Sequence, residues 1–260
     1  SGDGERPADG RCLVATEGVV ERARMVKDAH EVAVFREAAA RLSHVARAIL
    51  REQVVRAGRT EHDIAGEVDG RMKQAGFSRP AFDPIVASGP HAALPHAHPT
   101  SRAVDTGEVV VLDFGGVLDG YCVDLTRTVA VGDPGREVRR FYGAVREAQR
   151  LAIAAVRAGA ATDAVDAAAR DHLASHGLAE AFGHSTGHGL GLEIHEEPRV
   201  GKRRTEGPAA TVLEDGVVCT IEPGVYVAGT GGVRLEDDVL VTGDGCEVLT
   251  DVPFDARLDG

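Results

Sequence analysis

The sequence predicts an α+β fold made of a duplicated unit, two helices followed by antiparallel strands. Three observations lead there. A long and a short helical pattern occur together twice, over 27–76 and again over 136–177. The segment VVRAG at 54–58 matches AVRAG at 155–159, and Gly76 matches Gly177 at the same offset. After each helix pair come Val-rich strands with two acidic residues: Asp113 and Asp124 in the first half, Glu222 and Glu236 in the second. Two such units packed face to face, related by a pseudo-two-fold axis, bring four carboxylates to a central seam.

The elements follow in order. Residues 1–10 are polar and Gly-rich, the composition of a disordered tail. Residues 12–20 (CLVATEGVV) read as a short strand. From Lys27 to Val55, apolar residues (Val32, Phe35, Ala39, Leu42, Val45, Ile49 and Val54) recur at steps of three and four, a helical face. Gly58 ends it. Thr60 opens the next helix, with Asp63 placed as in a capping box, and Gly76 closes it. Residues 84–88 (PIVAS) form a strand that leads into the loop GPHAALPHAHP. Residues 108–114 and 121–131 are strands around a Gly/Asp turn. Residues 136–158 and 162–176 repeat the long and short helices, and Gly177 stops the second.

Composition narrows the function. With 43% apolar residues in 260, the chain can bury a sizeable core as one large domain, 21–260, behind a tail at 1–20. It has no Trp, so that core is aliphatic. A formal charge of −12 leaves no basic stripe to neutralise phosphates, which excludes a nucleic-acid partner. No apolar run approaches the ~20 residues that span a bilayer. Cys12, Cys122, Cys219 and Cys246 form no CxxC pair, and they read as reduced thiols of a cytoplasmic protein.

The acidic residues carry the chemistry. In an antiparallel hairpin, directly opposed positions have a constant sum. A two-residue turn near 117–120 makes that sum odd, as is 113 plus 124, so Asp113 and Asp124 project from one face, opposed or one diagonal step apart. A three-residue turn would separate them. Glu222 and Glu236 have an even sum and share a face if the Gly-rich turn AGTGG (228–232) has an odd number of residues. Opposed side chains have Cβ atoms ~5 Å apart. Two ionised carboxylates so close repel, and a cation between them removes the conflict. A lone acid on a strand usually faces solvent, but these sit in apolar runs. With His188 they form a hard, oxygen-rich set suited to a pair of divalent cations, which points to hydrolysis. His184, His188 and His195 cluster among glycines in GHSTGHGLGLEIHEEPR, and His96 lies in ALPHAHPT.

Taken together, GPHAALPHAHPT, LDFGGVLDGYCVDLTRTVAVG, FGHSTGHGLGLEIHEEPR, IEPGVYV and GGVRLEDDVLVT resemble the pita-bread metallopeptidases, and within them the proline-specific branch of Xaa-Pro dipeptidases and aminopeptidases. The blocks occur in order over roughly 20–250. The resemblance implies a pita-bread fold with a curved antiparallel sheet carrying the site. It implies two divalent metal ions, Mn²⁺ or Co²⁺ ahead of Zn²⁺ or Fe²⁺, held by Asp113, Asp124, His188, Glu222 and Glu236, with Asp124 and Glu236 bridging. It makes Glu222 the proton carrier, His96 and His195 the histidines that contact the reacting amide, and His184 a further pocket residue. It places Arg234 in the proline-specific block, and Arg199 where some prolidases bind a dipeptide's free carboxylate. Expected substrates are short proline-containing peptides. The resemblance also leaves a homodimer open, and it suggests that 12–20 is the remnant of a missing N-terminal domain. Two other readings stand beside it: a methionine aminopeptidase, which shares the fold but which the LPHAHP and GGVRLEDDV blocks speak against, and a non-catalytic pita-bread binding module, which would have lost ligands.

Overall fold

A computed structural model describes residues 15–203, 210–255 and 257–258. Among these residues the chain forms five α-helices and thirteen strands, every strand pairing antiparallel. Residues 1–14, with Cys12 and most of the expected tail, lie outside the described residues. Where the sequence suggested a strand over 12–20, α1 (Val19–Met25) begins instead, with Gly18 at its N-cap in the left-handed region. Residues 12–14 of that reading lie outside the described residues; over 15–18 no strand forms, and Val19 and Val20 lie on the helix.

Local sequence accounts for the four long helices. In α2 (Ala29–Arg51), the Asp28 side chain accepts from the amides of His30 and Glu31, and Glu31 reciprocates onto the Asp28 amide. Its buried face runs through Phe35, Ala38, Leu42, Val45 and Ile49. α3 (Glu61–Gln74) starts with the expected Thr60–Asp63 capping box. α4 (Arg136–Ala155) and α5 (Thr162–Ser175) are their counterparts. The repeat is visible in backbone hydrogen bonds. The amide of Gly58 donates to Val104 O and that of Val104 to Arg59 O, both at 2.9 Å, while the amide of Gly159 donates to Leu213 O and that of Leu213 to Ala160 O, both at 2.8 Å.

In the first half, β2 (Ile85–Ser88), β3 (Glu108–Asp113) and β6 (Thr126–Val131) form one sheet, and β1 (Arg79–Pro80), β4 (Gly116–Leu118) and β5 (Tyr121–Val123) another. In the second half, β7 (Gly187–Gly189), β8 (Glu196–Val200), β9 (Val218–Ile221), β12 (Asp237–Val241) and β13 (Cys246–Val248) form a five-stranded sheet, beside the pair β10 (Gly224–Val227) and β11 (Gly231–Arg234). The halves meet where the Glu236 amide donates to Thr126 O at 3.2 Å and the Thr128 hydroxyl donates to Arg234 O at 2.9 Å. β3 is buried on both faces: Val110 and Leu112 pack with the α2–α3 core, Val109 and Val111 with the α4–α5 core. A strand buried on both sides reads as the unbroken apolar run VVVL.

The registers place the acids. Asp113 opposes Thr126, Gly116 opposes Val123 and Leu118 opposes Tyr121, one continuous register closed by the two-residue turn Asp119–Gly120. Both turn residues have positive φ (48° and 92°), as a type I′ hairpin turn requires. Asp113 and Asp124 are therefore one diagonal step apart. In the second half, Ile221 opposes Asp237 and Val227 opposes Gly231. That register carries Glu222 opposite Glu236 across a three-residue loop, 228–230.

Candidate metal centre

His188 is set on β7 between two glycines that only glycine can satisfy. A Cβ on Gly187 would lie 1.9 Å from Thr220 O, and one on Gly189 would lie 2.2 Å from Glu197 O. The close approach read from the glycines is thus to neighbouring backbone. The His188 Nδ1 sits 3.1 Å from Gly189 O. That contact leaves Nε2 facing Glu222 Oε1 at 3.4 Å and Asp124 Oδ2 at 3.9 Å. Ligand-type atoms of Asp124, His188 and Glu236 all lie within 4.8 Å of one another, a geometry able to hold a cation.

Asp113 and Glu222 line the same cavity beside this cluster. The Asp113 carboxylate takes a hydrogen bond from Arg234, and Glu222 Oε1 one from the Thr220 hydroxyl at 3.3 Å. The Thr126 hydroxyl donates to Glu236 Oε2 at 2.6 Å. Yet Asp113 Oδ1 and Glu236 Oε1 are buried with no hydrogen-bond partner among the described residues. A buried carboxylate oxygen without a partner is unfavourable unless a cation meets it.

Electrostatics gives the same picture. Burial, with Asp113 and Asp238 nearby, pushes the Asp124 carboxyl well above its usual range. Burial and the Asp124 charge do the same to Glu236. Burial lifts Glu222 to about 8, against the opposing pull of Arg234. Burial also drives His184 and His188 down to about 4, which keeps both imidazoles neutral, the form that coordinates metals. Carboxylates that resist ionising beside neutral imidazoles fit a site completed by positive charge.

Above the cluster opens a cavity of about 740 Å³. His96, His184 and His195 are in its walls, with Arg199 and Arg234. The His195 ring stands edge-on to His188, with centroids 4.4 Å apart. His184 lies 3.0 Å, through Nε2, from the Tyr226 hydroxyl. Arg234 is 3% exposed and reaches Asp113, the Tyr226 hydroxyl at 2.7 Å and Pro95 O at 3.3 Å. It is therefore part of the floor and cannot swing freely. Arg199 is exposed at the rim, and its guanidinium donates to Lys202 O at 3.2 Å. All the residues singled out from the sequence thus converge on one place.

Sequence reasoning passed over Tyr226, which links His184 to Arg234, and the lining residues Phe82, Ile85, Glu21 and Arg24. Tyr226 did leave a signal. It is one of three tyrosines, in an otherwise apolar run, and a buried tyrosine needs a partner for its hydroxyl. The lining residues leave none, because they reach the cavity only through tertiary packing.

Comparison with known proteins agrees with this geometry. The chain is 38% identical over 232 residues to an Xaa-Pro dipeptidase of Pyrococcus furiosus, an alignment covering 89% of this chain and 65% of that protein. Among solved structures, an Xaa-Pro dipeptidase from Bacillus anthracis superposes with a TM-score of 0.88 at 42% identity, covering 92% of this chain and 66% of the other. An X-Pro aminopeptidase from Thermotoga maritima gives 0.86 at 38% identity, covering 94% and 68%. The chain spans about two thirds, 65–66%, of the length of the first two curated relatives compared. The model of metallopeptidase family M24 matches residues 33–243, which take in both helix pairs apart from the first turn of α2, every acid of the seam and the histidine walls, and the chain belongs to that family.

Proposed function

We propose that this chain is a divalent-metal exopeptidase that hydrolyses the peptide bond before proline. The observation that carries the reading is the cluster of Asp124, His188 and Glu236, with Asp113 and Glu222 lining the same histidine-walled cavity and orphaned buried oxygens on Asp113 and Glu236. Asp113, Asp124, His188, Glu222 and Glu236 would hold two cations of the Mn²⁺ or Co²⁺ type. When bound, such a pair supplies water activated near neutral pH and positive charge for the developing oxyanion.

The protein's own groups do the rest. Glu222 takes a proton from the attacking water and returns it to the leaving amine. A carboxylate held beside the attacking water suits both steps. His195 and His96, both in the cavity wall, offer ring N–H donors to the reacting amide. Arg234 and Tyr226 fix the His184 wall, against which the proline ring packs. Arg199, which lines the cavity at its rim, would pair with a free carboxylate and so favour substrates ending directly after proline.

The test is hydrolysis by Mn²⁺- or Co²⁺-reconstituted protein of Ala-Pro, Ala-Pro-Ala and Met-Ala-Ser, with metal content measured in parallel. Turnover of the proline peptides with two bound ions is expected. Preferential cleavage of Met-Ala-Ser would replace this reading by a methionine aminopeptidase, and absence of both turnover and stoichiometric metal would replace it by a binding module.

A further inference from the structure

Behind the His184 wall, outside the cavity, lies a buried ion pair on α5. Asp166 is 1% exposed, and Arg170 follows one turn later. The Arg170 guanidinium forks onto the carboxylate, with Nε to Oδ2 and NH2 to Oδ1 both at 2.8 Å. An i,i+4 pair of this kind on a helix surface adds only a few tenths of a kcal/mol. The remaining donors and acceptors of this pair, however, do not turn back to the helix.

They grip the segment 182–186. Arg170 donates to Phe182 O at 3.0 Å and to His184 O at 2.8 Å, and its guanidinium lies 4.1 Å over the Phe182 ring. Phe182 in turn stands edge-on to the His184 imidazole, with centroids 5.0 Å apart. Asp166 Oδ1 accepts from the Thr186 amide at 3.2 Å and from its hydroxyl at 2.8 Å. The carbonyl of the same Thr186 accepts the Glu222 amide at 2.7 Å. A path of hydrogen bonds, charge-assisted where Asp166 and Arg170 take part and a backbone bond at its last link, thus runs from α5 to both His184 and Glu222.

The first half contains a counterpart. Glu61 on α3 is fully buried and accepts from the amides and hydroxyls of Ser88 and Thr100. Those two residues bracket the loop that carries His96. Each half therefore anchors its histidine wall with a buried carboxylate on its short helix.

We propose that the Asp166–Arg170 pair is a positioning device that holds the 182–186 wall, and through it sets His184 and Glu222 in the site. The proposal rests on the reading of that site given above, but its main test does not require catalysis. Amide hydrogen exchange resolved at Thr186 and Glu222 is compared in wild type, Asp166→Asn, Arg170→Lys and a control, Leu173→Ala. Leu173 is a fully buried residue of the same helix that makes none of these bonds. Local opening appears as faster exchange confined to the loosened segment.

The two pair variants are expected to speed exchange at Thr186 and Glu222 at least tenfold, leaving Cys219 and Val239 in the β9–β12 ladder unchanged. The control should not reproduce that pattern. In metal-loaded protein, kcat on Ala-Pro falls about tenfold through Glu222, and KM rises through His184. Should Asp166→Asn fail to fold, Arg170→Lys, which keeps the cation and loses the fork, decides. Wild-type exchange at Glu222 in the folded pair variants, or an equal local effect from Leu173→Ala, overturns the proposal. Wild-type protein that cleaves no Xaa-Pro bond defeats the functional reading, and the exchange result still judges the clamp.

Discussion

Replacing Glu222 with Gln should stabilise the metal-free protein, and the gain should grow with pH. Burial lifts the Glu222 carboxyl from an ordinary value of 4.5 to about 8. Between those values the folded state holds a proton that the unfolded state has lost. A carboxyl raised in this way makes the native state lose stability as pH rises through the window. Gln keeps the shape and has no proton to lose. From pH 5.5 to 8.5 the stability difference between variant and wild type should therefore widen by about 3 kcal/mol, at ~1.4 kcal/mol per pH unit. His184 and His188 contribute with the opposite sign: their folded pKa values near 4 weaken the native state as pH falls below the usual histidine range. The assay is urea unfolding in EDTA, extrapolated to water at each pH. Added Mn²⁺ should reverse the order, because a ligand at a hundred times its Kd adds about 2.7 kcal/mol to a protein that binds it. Parallel stability curves in EDTA would refute the claim that these carboxylates are held against ionisation.

Three further outcomes follow from the geometry. Arg199→Ala should raise KM for Ala-Pro about tenfold and leave Ala-Pro-Ala untouched, since only the dipeptide places its carboxylate at the rim; equal losses on both substrates in steady-state assays would remove the clamp. Tyr226→Phe deletes the hydroxyl shared by His184 and Arg234 and should lower stability by about 1–2 kcal/mol in urea unfolding, with a clear fall in kcat. Gly187→Ala puts a Cβ 1.9 Å from Thr220 O, so β7 must separate from β9 and carry His188 away; elemental analysis should find bound metal reduced.

The helices were legible because their signals are local: Thr60 with Asp63, Gly76 and Gly177 as stops, and the apolar face from Phe35 to Ile49. The same-face argument for Asp113 and Asp124 held because the Asp119–Gly120 turn has two residues, and that for Glu222 and Glu236 because theirs has three. Residues whose meaning is tertiary were not legible. Glu61, Asp166 and Arg170 look like ordinary helical charges until the fold buries them against distant loops. Val19 and Val20 read as strand residues, yet they are exposed on a short helix.

The expected hairpins also concealed their most informative feature. Each is interrupted near its acids: regular pairing stops at Asp113 and resumes at Gly116, and it stops at Ile221 and resumes at Gly224, with the register kept. Backbone groups freed by an interruption must find partners elsewhere, because an unpaired buried amide is unfavourable by about 1–3 kcal/mol. Here they find them largely across elements. The Asp124 amide donates to the Asp238 carboxylate at 3.0 Å, the Glu222 amide to Thr186 O, and the Glu236 amide to Thr126 O. Each acid of the cluster except Asp113, which ends its strand, is therefore tied through its own amide to a different part of the molecule. A continuous ladder would have held the same carboxylates by strand neighbours alone and let them move with one hairpin. The interruptions couple both halves at the point where the four side chains meet. A substitution that restores regular pairing at 114–115 or 222–223 should therefore loosen the cluster even if it strengthens the sheet.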